Sequence, residues 1–212
     1  MSNYHSYEDF PPVEMANADG LLAIGGDLSI KRLLDAYNHG IFPWYEATQP
    51  VLWYSPDPRM VLFPENLKIS KSMKQVFQKD EFQVSFNEDF EAVIKSCAAI
   101  NRKGQRGTWI TPALQKAFLE LHDLGIAISV EVWKAEKLVG GLYGLYLKEK
   151  KVFCGESMFT KMSNASKFGF IKLVEKLKEE KVRLIDCQVY TEHLESLGAI
   201  EIPRKEFLKY LK

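Results

Sequence analysis

With 212 residues the chain can hold one large domain or two small ones around a sizeable core, and 46% hydrophobic against 26% charged residues is the balance of a soluble globular protein, not of a disordered one. No run of 18 apolar residues occurs, Met1–His5 lacks the basic-then-apolar order of a secretory signal, and Cys97, Cys154 and Cys187 are scattered without a CxxC pair. This argues against a membrane span, a disulfide framework and a zinc site, and makes a reducing cytoplasm the expected setting. Zero net charge hides an asymmetry: residues 1–60 hold three basic residues (Lys31, Arg32, Arg59) against eight acidic ones, and the rest of the chain carries the opposite excess. Its basic clusters, Lys68 with Lys71 and Lys74, and Arg102 with Lys103 and Arg106, are either a solvated surface or a local site for a phosphate backbone.

The first sixty residues are rich in Pro, Gly and aromatics. Gly20–Asp27 predicts a short strand or turn. Ser29 caps a helix over residues 30–39 that Gly40 ends. Pro56 and Pro58 make the stretch from Leu52 to Arg59 an ordered loop, and Pro64 marks a domain boundary. Beyond it the pattern predicts a helix over Ser70–Gln78, a strand over Phe82–Phe86, a helix over Phe90–Ala99, a basic loop over Asn101–Gly107, and a helix from Thr111-Pro112 to about Leu124 with Gly125 past its end. Ala127–Trp133, Leu138–Leu147 and Lys151–Phe159 read as strands joined by short connections, hence antiparallel. Ser163 or Asn164 caps a helix to about Lys181, striped by Phe170, Ile171, Val174 and Leu177. A strand over 182–190, a turn at Ser196–Ala199, a strand near Ile200–Ile202 and a short helix complete the chain.

Two of these strands are apolar runs interrupted by polar groups. In Leu184–Tyr190 the period of two puts Asp186 and Gln188 on one face; in Val152–Phe159 it does the same for Glu156 and Met158. A buried carboxylate needs a partner, a ligand or a task. The order helix, three antiparallel strands, helix, parallel strand resembles the acetyltransferase-like (GNAT-like) fold, an α/β (α+β) mixed sheet in which the last two strands part at a substrate cleft. Residues 1–62 then form a small N-terminal domain and 63–212 the acetyltransferase-like one. After the fourth strand, however, Thr160–Lys167 lacks the Arg/Gln-x-x-Gly-x-Gly loop that would hold coenzyme A.

Each polar or aromatic residue has a plain alternative. Asp186 and Gln188 suit a hydrogen-bonded pair on an edge strand, Glu156 a salt bridge to Lys167, and Met158 a core position. Trp44, Trp53, Tyr54 and Trp109 suit a core too, but they lie in Pro-flanked loops or beside the basic loop, where aromatics stack on unpaired bases. Cys154 and Cys187 read as packing residues, His122 and His193 as structural.

Gly20–Ser29 (GLLAIGGDLS), Gly40–Trp44 (GIFPW) and Trp53–Arg59 (WYSPDPR), followed by Gly107–Thr111 (GTWIT), Ser129–Trp133 (SVEVW), Leu138–Gly144 (LVGGLYG), Phe153–Phe159 (FCGESMF), Ile185–Gln188 (IDCQ) and Ser196–Ala199 (SLGA), resemble the blocks of the leucyl/phenylalanyl-tRNA–protein transferase family, in its order and over nearly the whole chain. The resemblance implies transfer of leucine or phenylalanine, sometimes methionine, from tRNA to a protein's N-terminal arginine or lysine, marking it for bacterial N-degron degradation. It further implies that Asp186 and Gln188 are the proton-handling pair, that Glu156 helps to hold the acceptor, that Trp44 and Trp109 (with Trp53 and Tyr54 as further aromatics) receive the terminal adenosine, and that Met158 and Leu142 wall the amino-acid pocket. Lys71, Lys74, Arg102, Lys103 and Arg106 are then the expected phosphate contacts. No metal or cofactor is expected, because an aminoacyl ester is already activated, and a monomer is expected. Tyr54 stands where the family often has tryptophan, and Lys68 and Ile128 where it often has histidine. The rival readings are another acyltransferase of this fold and a non-catalytic RNA-binding module.

Overall fold

The computed structural model describes residues 9–100 and 108–212. The basic loop, with Arg102, Lys103 and Arg106, lies outside the described residues. In chain order the elements are β1 (Leu21–Ile24), α1 (Ile30–Asn38), β2 (Phe42–Pro43), β3 (Leu52–Tyr54), β4 (Arg59–Leu62), α2 (Lys71–Gln78), β5 (Gln83–Phe86), α3 (Phe90–Ala99), α4 (Pro112–Asp123), β6 (Ala127–Lys134), β7 (Lys137–Leu147), β8 (Val152–Thr160), α5 (Ala165–Glu179), β9 (Leu184–Gln188), α6 (Glu192–Ser196), β10 (Ile200–Ile202) and α7 (Arg204–Phe207).

Local chemistry sets most boundaries. The hydroxyls of Ser29, Ser70 and Thr111 and the carboxylate of Asp89 accept the first free N–H groups of α1, α2, α4 and α3. Gly40 and Gly125 stop α1 and α4 at φ +75° and +70°. Asn164 sits at the start of α5 but makes no capping bond there.

Two sheets result. A small one has the order β1-β3-β2, and a seven-stranded one the order β10-β4-β9-β8-β7-β6-β5. Strands β6, β7 and β8 are antiparallel, and β8 and β9, joined through α5, run parallel. The helix, three-strand, helix, strand order expected for the acetyltransferase-like fold is therefore present in a mixed α/β chain. Three parts differ from expectation. The stretch from Leu52 to Arg59 read as a loop contains β3 and the first residue of β4. Strand β4 lies before the expected boundary near residue 62, yet it pairs between β10 and β9 of the larger sheet. Helix α6 was not foreseen.

The apolar core lies on both faces of that sheet. Leu33, Tyr37, Val93, Leu114, Phe118 and Leu184 belong to one cluster; Leu142, Phe153, Phe170, Val174 and Ile185 to the other. Alternate residues of β9 thus serve opposite faces.

Candidate active site

Strands β8 and β9 pair only at Val152–Leu184, Phe153–Ile185 and Cys154–Asp186; beyond that they part. Each has a bulge where it leaves the other. On β8, Tyr143 faces Ser157 and Gly144 faces Gly155, so Glu156 is the extra residue. On β9, Met60 faces Gln188 and Val61 faces Asp186, so Cys187 is the extra one. Bulges bend a strand and re-aim a side chain. Here the β8 bulge breaks the period of two: Glu156 turns to Tyr37 in the first core cluster, while Met158 packs with the second. The expectation that Glu156 and Met158 share a face fails for that reason, although both still reach the gap.

The gap opens a cleft of about 360 Å³. Leu142, Met158, Phe170 and Ile185 form its apolar part, Glu156 and Gln188 its polar wall, and Trp44 and Trp109 also line it. A few convergent polar groups in a mostly apolar hollow is the usual build of a small-ligand site. Trp44 follows β2 and is 39% exposed. Its backbone N–H donates to the Leu52 carbonyl at 2.9 Å, and its ring leans on Tyr54 at 5.7 Å between centroids. Trp109 is held just ahead of α4, whose capping Thr111 also bonds the Tyr45 hydroxyl at 2.9 Å.

The polar wall is one connected set. The Asp186 carboxylate takes Arg59 Nε at 2.8 Å and Nη2 at 2.7 Å, a bidentate pair in which both side chains are almost fully buried. Asp186 Oδ1 also accepts the Gln188 N–H at 2.9 Å. Gln188 adopts φ +65°, a left-handed conformation uncommon for a non-glycine residue. From there its Nε2 donates to Glu156 Oε1 at 2.8 Å, the same oxygen that accepts the Tyr37 hydroxyl at 2.8 Å. Among the described residues none bonds Glu156 Oε2.

Glu156 is pushed up from 4.5 to about 8, chiefly by burial and secondarily by the Asp186 charge, against the lowering effect of its bonds from Tyr37 and Gln188 and of the Arg59 charge. Burial and the neighbouring Glu156 also raise Tyr37 well above 10, so its hydroxyl stays a donor. Burial holds the thiols of Cys154 and Cys187 up, first and foremost, so neither is a ready thiolate.

Of the residues singled out from sequence, Glu156, Gln188, Trp44, Trp109, Leu142 and Met158 line the cleft. Asp186 does not; it stands behind Gln188, in an inner strand and not an edge strand, and Glu156 has no bond to Lys167. Trp53 is a correction: it is fully buried, donates Nε1 to the Gly25 carbonyl at 2.9 Å and packs edge-on to Phe10. Tyr54 supports Trp44 and is not part of the lining. Lys71 and Lys74 are exposed on α2. Arg59, Tyr37 and His193 were missed. A lone arginine entering the apolar run Met60-Val61-Leu62 was the available sign for Arg59, the mirror image of a lone carboxylate in Leu184–Tyr190. Nothing in sequence marked Tyr37. His193, from α6, lines the cleft with a buried Nε2 that has no hydrogen-bond partner among the described residues, and burial lowers its pKa.

Residues 61–212 match the family model described as leucyl/phenylalanyl-tRNA protein transferase, and residues 26–57 match the model of its N-terminal domain. The chain is 67% identical over 204 residues to the leucyl/phenylalanyl-tRNA–protein transferase of Christiangramia forsetii, covering 96% of each chain, and 56% identical to that of Flavobacterium johnsoniae, covering 99% of each. A solved structure, a conserved protein of unknown function from Bacteroides thetaiotaomicron, overlaps 74% of this chain and 55% of its own at a TM-score of 0.49 and 9% identity, a likeness that indicates neither activity nor partner.

Proposed function

Because the chain belongs to the leucyl/phenylalanyl-tRNA–protein transferase family, enzymes that move an aminoacyl group from tRNA to a protein, we propose that the cleft between β8 and β9 houses this transfer, with leucine, phenylalanine or methionine in its apolar part and the acceptor's N-terminal arginine or lysine at its polar wall. The observation that carries this reading is Glu156: a carboxyl bonded by neutral donors, with one oxygen unbonded by any described residue, facing an apolar hollow that two tryptophans also line.

The reaction is aminolysis of an ester. The acceptor's α-amine attacks the ester carbonyl, the C–N bond forms and the C–O bond to the terminal ribose breaks. The amine loses a proton and the ribose oxygen gains one. The ester is already activated, so alignment and proton transfer are the remaining tasks. Glu156, raised to about 8, is mostly protonated at pH 7 in the free protein. A cationic acceptor side chain beside it favours the charged form. Acceptor binding thus expels a proton and leaves a carboxylate beside the amine. Gln188 holds the other Glu156 oxygen, and Asp186 fixes Gln188. Trp44 and Trp109 stack the terminal adenosine, and Lys71 and Lys74 hold phosphates further along the tRNA. The extended N-terminus would direct the product to N-degron degradation in the cytoplasm.

Incubating the protein with Leu-tRNA, Phe-tRNA or Met-tRNA and peptides that start with Arg, Lys or Ala tests this by mass. Arg and Lys peptides gain one residue and the Ala peptide gains none. Equal extension of the Ala peptide overturns the acceptor assignment; extension of no peptide overturns the whole reading.

A further inference from the structure

We propose that Arg59 is a positioning residue for the transfer: it anchors Asp186 behind the cleft, Asp186 sets the backbone of Gln188, and Gln188 aims Glu156. The inference rests on the cleft reading above and adds a residue that touches neither the cleft nor any substrate.

The Arg59 guanidinium is fixed on every side. Its fork takes both Asp186 oxygens, and Nη1 donates to the Gly40 carbonyl at 3.1 Å. Its central carbon lies 4.8 Å from the Phe42 ring centroid and 4.7 Å from that of Phe207, so a ring from β2 and a ring from α7 both pack against it. The turn leading into Arg59 is itself tied down: the backbone N–H of Arg204 donates to Asp57 Oδ1 at 2.9 Å, and the Arg204 guanidinium bonds the Ser55 carbonyl. Elements from both ends of the described chain therefore converge on one guanidinium.

A buried ion pair is weak evidence for stability, since desolvation offsets much of the attraction. This pair is distinguished by where its anion leads. Asp186 Oδ1 also holds the N–H of Gln188, in its left-handed conformation, and Gln188 Nε2 ends on the cleft carboxyl. A tilt of Asp186 is transmitted through two hydrogen bonds to Glu156, and a misplacement of about 1 Å at a reacting group costs on the order of a hundredfold in rate. Lysine is no substitute, because a single ammonium cannot grip both oxygens in one plane.

The decisive comparison is Asp186→Asn, Arg59→Met, and the two together. Asparagine keeps an oxygen for the Gln188 N–H but cannot take a proton from the amine, and the double variant buries no unpaired charge. In the transfer of leucine from Leu-tRNA to an Arg-starting peptide, Arg59→Met lowers kcat about a hundredfold with the acceptor KM within about threefold, and the double variant regains at least tenfold. Full kcat in Arg59→Met, or a double variant that melts like wild type yet is as inactive as Arg59→Met, overturns the proposal; the latter result makes the Asp186 charge itself essential. Should Arg59→Met fail to fold, Arg59→Lys replaces it and is expected to show the same kcat loss with an unchanged KM; full kcat there also overturns the proposal. Inactivity of the wild type would strike the cleft reading, not Arg59, so hydrogen exchange of the Gln188 side-chain amide supplies a second readout. Exchange is slow in wild type, faster in Arg59→Met and slow again in the double variant; no acceleration in Arg59→Met overturns the positioning role.

Discussion

Asp186 and Glu156 lie on neighbouring strands of one sheet, linked through Gln188, and have opposite environments. Asp186 faces a guanidinium that grips both its oxygens and a backbone N–H. Glu156 faces a phenol and an amide, and burial outweighs them. The first carboxylate is fixed by design of the fold; the second is left adjustable, and it is the one that lines the cleft. A buried acid gripped by a guanidinium is an anchor, whereas a buried acid with neutral partners can change charge when a ligand arrives.

The largest expected effect breaks the anchor. Asp186→Ala leaves Arg59 buried and unpaired, which costs on the order of 3–5 kcal/mol of stability. Denaturant midpoints measure it, and a loss under 1 kcal/mol would show that water compensates the guanidinium. The next contrast is pH. Because the folded pKa of Glu156 is raised from 4.5 to about 8, the folded state keeps a proton that the unfolded chain has released, so this group's contribution to stability is full below about 4.5 and declines as pH rises towards 8. Glu156→Gln removes that decline, whereas an unaltered profile in melts from pH 4 to 9 would mean that Glu156 is ionised in the folded protein. Tyr37→Phe removes a bond that lowers the Glu156 pKa, so the acid limb of the rate–pH profile moves to higher pH; no movement, or a downward one, contradicts the coupling. Met158→Ala enlarges the apolar part of the cleft and shifts the Phe-to-Leu ratio of kcat/KM by ~10-fold in favour of Phe, within the ~1–3 kcal/mol that such contacts supply. The smallest effect lies outside the pair: Lys71→Gln with Lys74→Gln lowers the slope of log affinity for tRNA against log salt by about 0.7–0.9 for each phosphate that a lysine no longer neutralises. An unchanged slope makes them ordinary surface charges.

Local patterns carried much of the fold. Caps and glycines located α1 and α4, and the span of α3 was legible to the residue. Helix α6 was not, because Glu192–Ser196 is too short to display a period of 3.6. Strand β3 was hidden by its flanking prolines and turns. In the site, period two put Asp186 and Gln188 on one face, but the bulge at Cys187 breaks that alternation and only Gln188 lines the cleft; the family resemblance pointed to Leu142, Met158, Trp44 and Trp109. It misjudged Trp53, whose indole satisfies a carbonyl inside the core. Bulges at Glu156 and Cys187 are set by pairing across the sheet, which a single strand's sequence does not encode. Arg59 and Asp186 are 127 positions apart, and only the tertiary fold shows that one lone charge answers the other.

The left-handed backbone at Gln188 has a consequence for how sequence space around this protein is explored. A conformation of that kind costs of order 1 kcal/mol or more for an ordinary side chain and nothing for glycine. Selection for heat resistance alone would therefore accept glycine or asparagine at position 188 at little or no folding penalty, while either replacement is too short to reach Glu156. Robustness and function pull in different directions at that position. Stabilised versions of the protein should be screened for transfer from the first round, because melting temperature alone would reward the loss of the residue that aims the cleft.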